Sequence, residues 1–243
     1  MSESTNSGDE VIPFTKMRRT IARRMVESKA ISAHTLMGKE VDYEGVELVR
    51  REHGARFRGE EGFGLSYLAF CACATVEALI AFPFINASVG DDALVVHHDI
   101  NLGIAVDLEI GGLVVPVIHS ARDLKLRNMA LRIREVATKA RTGRLSMDDL
   151  SGGTFTISNA GPMGTTFTGA IINQPEVAIL ATDGVGRRPV VIESSDGIES
   201  IAIHSTGMIT VNFDHRAVDG AYVARFLSKI GETLRDRNWA GEL

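Results

Sequence analysis

The chain has 243 residues, with 26 Lys and Arg against 31 Asp and Glu, a formal charge of −5 at pH 7. That balance argues against a general polyanion binder, and 44% apolar with 23% charged residues excludes a disordered or collagen-like chain. The length suffices for one large core or two modest ones. Cys71 and Cys73 are the only cysteines, so neither a disulfide framework nor a four-ligand zinc site can be built from them, and a reducing, cytoplasmic setting is expected. The opening MSESTNSGDE does not read as a signal peptide, and the longest apolar run, Tyr67 to Phe82, is interrupted by Thr75 and Glu77 and is too short for a membrane span.

Residues 1–10 are polar and acidic and read as a disordered tail or linker stub. Residues 11–25 carry Lys16, Arg18, Arg19, Arg23 and Arg24 without an acid, while Phe14, Met17, Ile21 and Met25 recur at helical spacing. This predicts a basic amphipathic helix, either solvated on its charged face or docked on an acidic partner surface. The apolar run after Ser66, stopped by Pro83, predicts a helix buried on most sides with inert thiols. From Leu94 the β-branched runs LVVHH, NLGIAVDL and LVVPVI, with a turn at Gly111–Gly112, predict a meander. Residues 127–142 return to helix, with Met129, Ile133, Val136 and Ala140 on one stripe. Strands are then predicted at 154–158, 177–181, 189–193 and 208–214, with Asp196–Gly197 turning a hairpin into Ile201–His204. A last helix from near Gly220 shows Val223, Phe226, Leu227, Ile230 and Leu234 at three- and four-residue steps. Without a repeat or a later linker, residues 11–243 read as one α+β domain.

No phosphate loop, nucleophile elbow, HExxH helix or paired CxxC is present. Gly184–Val185–Gly186 lacks the third glycine of a nucleotide loop and reads as a turn, and His97–His98, placed on a strand, would point to opposite faces and not to one metal. Asn212 to Gly220, NFDHRAVDG, is different: an apolar strand ends on His215, and Asp219 and Gly220 open a helix four residues later. A histidine at a strand terminus is held by the sheet while its imidazole faces a cleft, as a general base requires. Asp219 either caps the helix or anchors an arginine. Ser158 and Asn159 are either turn residues satisfying the backbone or a hydroxyl placed for chemistry.

DHRAVDGA resembles the signature of the dihydrolipoamide acyltransferases of 2-oxo acid dehydrogenase complexes and, more distantly, of chloramphenicol acetyltransferase. MRRTIARRMVESK, INLGIAVDLEIGGLVVPVI, DDLSGGTFTISNAGPMG and INQPEVAIL follow the family's order, so the resemblance covers nearly all of Val11 to Leu243. The departures are Ala33 before His34, where the family usually has proline, and Pro162–Met163 in the loop after TISN.

The resemblance implies a chloramphenicol acetyltransferase-like α+β fold, a mixed sheet flanked by helices. It makes His215 the catalytic histidine, Asp219 the organiser of its loop, with Arg18 or Arg19 as candidate partners, and Ser158 the donor to the tetrahedral intermediate. A thiol with a pKa of about 8.5 is mostly protonated at neutral pH, so a neutral imidazole that removes its proton supplies the thiolate. One well-placed hydroxyl is worth roughly 3 kcal/mol to the resulting oxyanion. Transfer between thiols of similar energy needs no metal. The implied substrates are coenzyme A and a lipoyl group carried on an upstream domain, residues 1–10 being the end of the linker. The implied assembly is a trimer, with histidine from one subunit and serine from the next, built into a 24-mer or 60-mer core that works with decarboxylase and dihydrolipoamide dehydrogenase components. The basic N-terminal arm and the C-terminal helix would then include interface surface. TISNAG leans toward acetyl or branched-chain acyl groups, branched-chain being preferred. A non-catalytic structural core subunit and an alcohol O-acetyltransferase are the alternatives; nucleic-acid binding is disfavoured.

Overall fold

A computed structural model describes residues 8–108 and 112–243; the expectations for residues 1–7 and for Gly111 lie outside the described residues. Thr15 starts the first helix: its hydroxyl accepts a 3.1 Å hydrogen bond from the Arg18 N–H, and α1 runs Lys16–Ile31. The helix expected over 11–25 therefore begins and ends later. Pro13 disfavours helix before it, and Thr15 supplies the N-cap. In α1 only Ser28 is buried, its hydroxyl donating to the Ile172 carbonyl at 2.6 Å.

Strand β1 (His34–Asp42) and helix α2 (Glu44–Glu61) lie outside the predicted elements. Helix α2 is charged on most sides and buries only Val46 and Phe57. Helix α3 (Tyr67–Ala81) follows its prediction and ends before a 3-10 turn at Pro83. Burial pushes the Cys71 and Cys73 thiols up to about 11 and about 12, which makes them poor nucleophiles. Glu77, the interruption in this helix, pairs with Lys229 at 2.5 Å and Arg237 at 3.1 Å on the C-terminal side of the molecule.

The main sheet has the order β1-β11-β9-β8-β4-β7, with β10 (Gly186–Glu193) beside the first half of β11. Strand β11 (Glu199–Asp214) joins two predicted strands into 16 continuous residues, and its second half lies between β1 and β9 (Ala178–Thr182). The pairings of β8 (Phe155–Asn159) with β9 and with β4 (Leu102–Ile104) are parallel, the others antiparallel.

The single meander expected from Leu94 is corrected. Strands β2 (Ala87–Val89) and β3 (Leu94–Val96) form one separate pair, β5 (Val106–Asp107) and β6 (Leu113–Val114) another, and only β4 and β7 (Val117–Ile118) join the main sheet. Gly103 sets this up: a Cβ there would lie 2.8 Å from both the Thr156 hydroxyl and a Val115 methyl. His97 and His98 follow β3 and are not on it; His97 Nε2 lies 3.2 Å from the Ser88 hydroxyl.

Helices α4 (Leu126–Arg141) and α5 (Gly220–Asp236) match their predictions. The α5 stripe Val223, Phe226, Leu227, Ile230 and Leu234 is buried in the chain's own core, so the apolar face expected to serve an interface is occupied internally. Large exposed apolar side chains sit elsewhere, on the β10–β11 hairpin, with Ile201 80% and Val191 66% exposed, and on the arm, with Ile12 75% exposed. Residues 165–173 cover part of the other sheet face: the Thr210 hydroxyl donates to the Thr168 carbonyl at 2.5 Å, and the Asn212 amide donates to Ala170. Among the described residues no helix is long and apolar enough to cross a membrane.

Candidate active site

Strand β11 delivers His215 just past its end, as expected. The His215 N–H donates to the Ala33 carbonyl at 3.0 Å, and the ring packs 5.7 Å from the ring of Phe213. The imidazole is exposed and makes no hydrogen bond among the described residues.

The two jobs foreseen for Asp219 are not done within this chain. It occupies the N-cap position of α5 in extended backbone, yet its side chain makes no capping bond. Arg18 and Arg19 do not reach it, and Arg19 donates instead to the Phe14 carbonyl at 2.7 Å. The carboxylate woven into the histidine's loop is Asp214, one residue before it and 1% exposed. It accepts from the Arg216 guanidinium through Nε at 3.0 Å and Nη2 at 2.6 Å, and from the backbone N–H groups of Arg216 at 3.0 Å and Ala33 at 3.2 Å. Burial works against its charge, but the bonds from Arg216, Ser32 and Ala33 hold the carboxyl below its ordinary range. The sequence signal for it was the acid and base flanking the histidine in DHR.

Ser158 is the fourth residue of β8 and half-buried, so it belongs to a strand and not to a turn. It pairs with Ala181 of β9, which pairs with Thr210 of β11. His215 lies five residues beyond Thr210; at about 3.4 Å per residue and 4.8 Å per strand, its Cα is roughly 20 Å from that of Ser158. One chain therefore does not bring the two together.

Each end of the sheet has its own cleft. A cleft of about 250 Å³ at the end of β8 is lined by Arg50, Tyr67, Asn159, Thr182 and Asp183, and not by Ser158. Asn159 Oδ1 accepts from the Gly161 N–H at 3.2 Å and the Thr182 hydroxyl at 3.0 Å. Arg50 lies 4.0 Å over the Tyr67 ring and is held by Glu47 and the Leu65 carbonyl. Buried Asp183 accepts from both Thr165 and Thr168 hydroxyls at 2.6 Å, fixing the loop that follows Ser158. A second cleft of about 310 Å³ is formed by the β2–β3 turn with Arg216 and Ala217, the residues that follow His215, which does not itself line it. Asp183 had no local sequence signal, because its partners Thr165 and Thr168 are 18 and 15 residues away; of the clamp on Arg50 only Glu47 is local, three residues before it. Among the described residues no group of three His, Cys, Asp or Glu side chains is arranged to hold a metal ion.

The model of the 2-oxoacid dehydrogenases acyltransferase (catalytic domain) family matches residues 6–240, and the chain belongs to this family. The pyruvate dehydrogenase acetyltransferase component of Corynebacterium glutamicum is 40% identical over 230 residues, 94% of this chain and 34% of that protein. The branched-chain alpha-keto acid dehydrogenase acyltransferase component of Bacillus subtilis is 36% identical, over 94% of this chain and 53% of that protein. The Escherichia coli 2-oxoglutarate dehydrogenase succinyltransferase component is 33% identical, over 93% and 54%. The chain thus spans a third to about half the length of these relatives.

Among solved structures, a probable dihydrolipoamide acetyltransferase from Listeria monocytogenes gives a TM-score of 0.89 at 36% identity, covering 96% of this chain and 98% of that one. An Azotobacter vinelandii dihydrolipoamide acetyltransferase, studied for the catalytic roles of a serine, a histidine and an asparagine, gives 0.87 at 31% identity, covering 94% and 92%. The cubic core of a pyruvate dehydrogenase multienzyme complex also gives 0.87, at 30% identity over 94% and 92%. Chloramphenicol acetyltransferase, at 14% identity and 0.54 over 93% and 99%, shares the fold.

Proposed function

We propose that residues 11–243 form one catalytic domain that moves an acyl group between a dihydrolipoyl thiol and coenzyme A in a 2-oxo acid dehydrogenase complex. The observation that carries this reading is an exposed strand-end histidine with an unengaged imidazole, in a chain of this family. Neutral His215 removes the coenzyme A thiol proton. The thiolate forms a bond to the thioester carbonyl carbon, and Ser158 donates to the oxyanion. Collapse breaks the carbon–sulfur bond to the lipoyl group, whose thiolate takes the proton back from the imidazolium. Asp219 stands four residues after the histidine, as an asparagine does in the Azotobacter protein, and we read it as facing a neighbouring copy.

Because Ser158 and His215 lie roughly 20 Å apart by strand geometry, the proposed site forms between copies, in a trimer built into a larger core. Similarity to a cubic core supports this. Decarboxylase and dihydrolipoamide dehydrogenase components, an upstream lipoyl-bearing domain and a cytoplasmic setting, supported by two free thiols, complete the proposal. For the acyl group we read branched-chain, on TISNAG around Ser158; acetyl is the second reading, favoured by 40% identity to the Corynebacterium protein.

His215→Ala tests the chemistry: transfer should vanish with the assembly intact, and more than a tenth of the rate surviving would refute the general base. Rates with isobutyryl-, acetyl- and succinyl-coenzyme A test the acyl group. Isobutyryl should lead by fivefold or more, and a lead for acetyl would replace that reading.

A further inference from the structure

We propose that Asp214 is the positioning residue of the reaction, setting the imidazole of His215 through the backbone on either side of it. The inference rests on the reading of His215 as the base. Every group of Asp214 is engaged. Its N–H donates to the Val177 carbonyl at 2.8 Å, tying it to β9, and its carbonyl accepts from the N–H groups of Ala217 at 2.9 Å and Val218 at 3.3 Å, closing the turn. Its carboxylate holds Ala33 on one side and Arg216 on the other, and a Ser32 hydroxyl completes the set.

Apart from the anchor to β9, these bonds end on residues that follow His215 in the loop or lie just before β1, where Ala33 meets it. Ala33 is the hinge of the arrangement. Its N–H is taken by Asp214 and its carbonyl receives the His215 N–H, so the histidine's backbone is fixed by the segment the carboxylate grips. Ser32 is braced in turn by the Gln174 amide at 2.7 Å. Among the described residues the imidazole has no hydrogen bond of its own, so its aim depends on this backbone and on the Phe213 ring. A bidentate guanidinium on a buried carboxylate is the stiffest polar link available to such a loop.

The test uses the assembled protein with acetyl-coenzyme A and free dihydrolipoamide. Asp214→Asn keeps the shape but loses the ion pair; kcat should fall at least tenfold with both KM values within twofold, as misplacement of a catalytic group does. On a His215→Ala background the same substitution should change the residual rate less than twofold, because its effect passes through the imidazole; a general structural defect would multiply the two losses. Should Asp214→Asn fail to assemble, Arg216→Lys, which loses the fork at a half-exposed side chain, decides the question with an expected kcat loss of threefold or more. If His215→Ala is inactive while Asp214→Asn and Arg216→Lys stay within threefold of wild type, the base stands and the positioning role falls. If His215→Ala keeps more than a tenth of the rate, the base assignment falls and takes this proposal with it.

Discussion

The Thr156 hydroxyl donates a 2.8 Å hydrogen bond to one oxygen of the Glu176 carboxyl group, while the second oxygen of that group is buried without a partner. Burial pushes Glu176 up to about 7, against the opposing bonds from Thr156 and Asn173. In the unfolded chain Glu176 loses its proton near its ordinary 4.5; in the folded chain it keeps it to about 7. Stability is therefore greatest below the unfolded value, falls as pH rises between the two, and levels off above 7, a change of about 3 kcal/mol from this group. Urea midpoints at pH 5, 6 and 7.5 should follow that slope, and Glu176→Gln should flatten it. An unchanged slope in the variant would assign it to other groups.

Ser158 and His215 act together only across copies if the register argument holds. Equal amounts of Ser158→Ala and His215→Ala chains, unfolded and refolded together, should then recover about a quarter of wild-type activity. Three-quarters of random trimers are mixed, and each mixed ring holds one intact site in three. Separately refolded variants stay inactive. No recovery in verified mixed trimers would place both groups in one chain.

Gly161 is a point of close approach in the loop after Ser158. A Cβ there would lie 2.7 Å from the Asp183 carbonyl oxygen and 3.1 Å from Asn159 Oδ1. Gly161→Ala should cost about 2 kcal/mol by overpacking and lower kcat by displacing the end of β8 that carries Ser158, the proposed oxyanion donor. Gly186→Ala, with nothing within 4 Å, should change stability by no more than about 0.5 kcal/mol. Equal denaturation midpoints for the two variants would show that the loop yields.

Ser28 is the single buried side chain of α1, and its bond to Ile172 is the helix's firmest link to the body. Ser28→Ala should cost about 1 kcal/mol, visible as hydrogen exchange in residues 16–31 several-fold faster than in wild type while the central sheet is unchanged. Unaltered exchange in α1 would mean that neighbouring copies hold it.

The sequence showed the elements that bury their own stripe. Helices α4 and α5 keep apolar residues at helical steps, and β8 and β9 are apolar runs between polar turns. Helix α2 was hidden because Val46 and Phe57 alone are buried among charges that serve its surface. Strand β11 was read as two strands because Ser205–Thr206–Gly207 interrupts its apolar pattern. The interruption exists because the backbone there passes close to the Gly184 carbonyl, 3.1 Å from where a Cβ on Gly207 would sit, and to the ring of Tyr43. At the candidate site the histidine was legible because its strand, turn and helix are contiguous. The role of Asp214 was not, since it depends on Ala33 and Ser32, which lie about 180 residues away.

Strand β11 starts in the exposed hairpin and ends one residue before His215. From Ile201 to Asp214 it is a single spar, roughly 44 Å long at strand rise, stiffened over its second half by β1 and β9. The exposed isoleucines of the hairpin and the strand-end histidine therefore sit at opposite ends of one continuous element, so a displacement of the hairpin is carried along the same strand that bears the histidine.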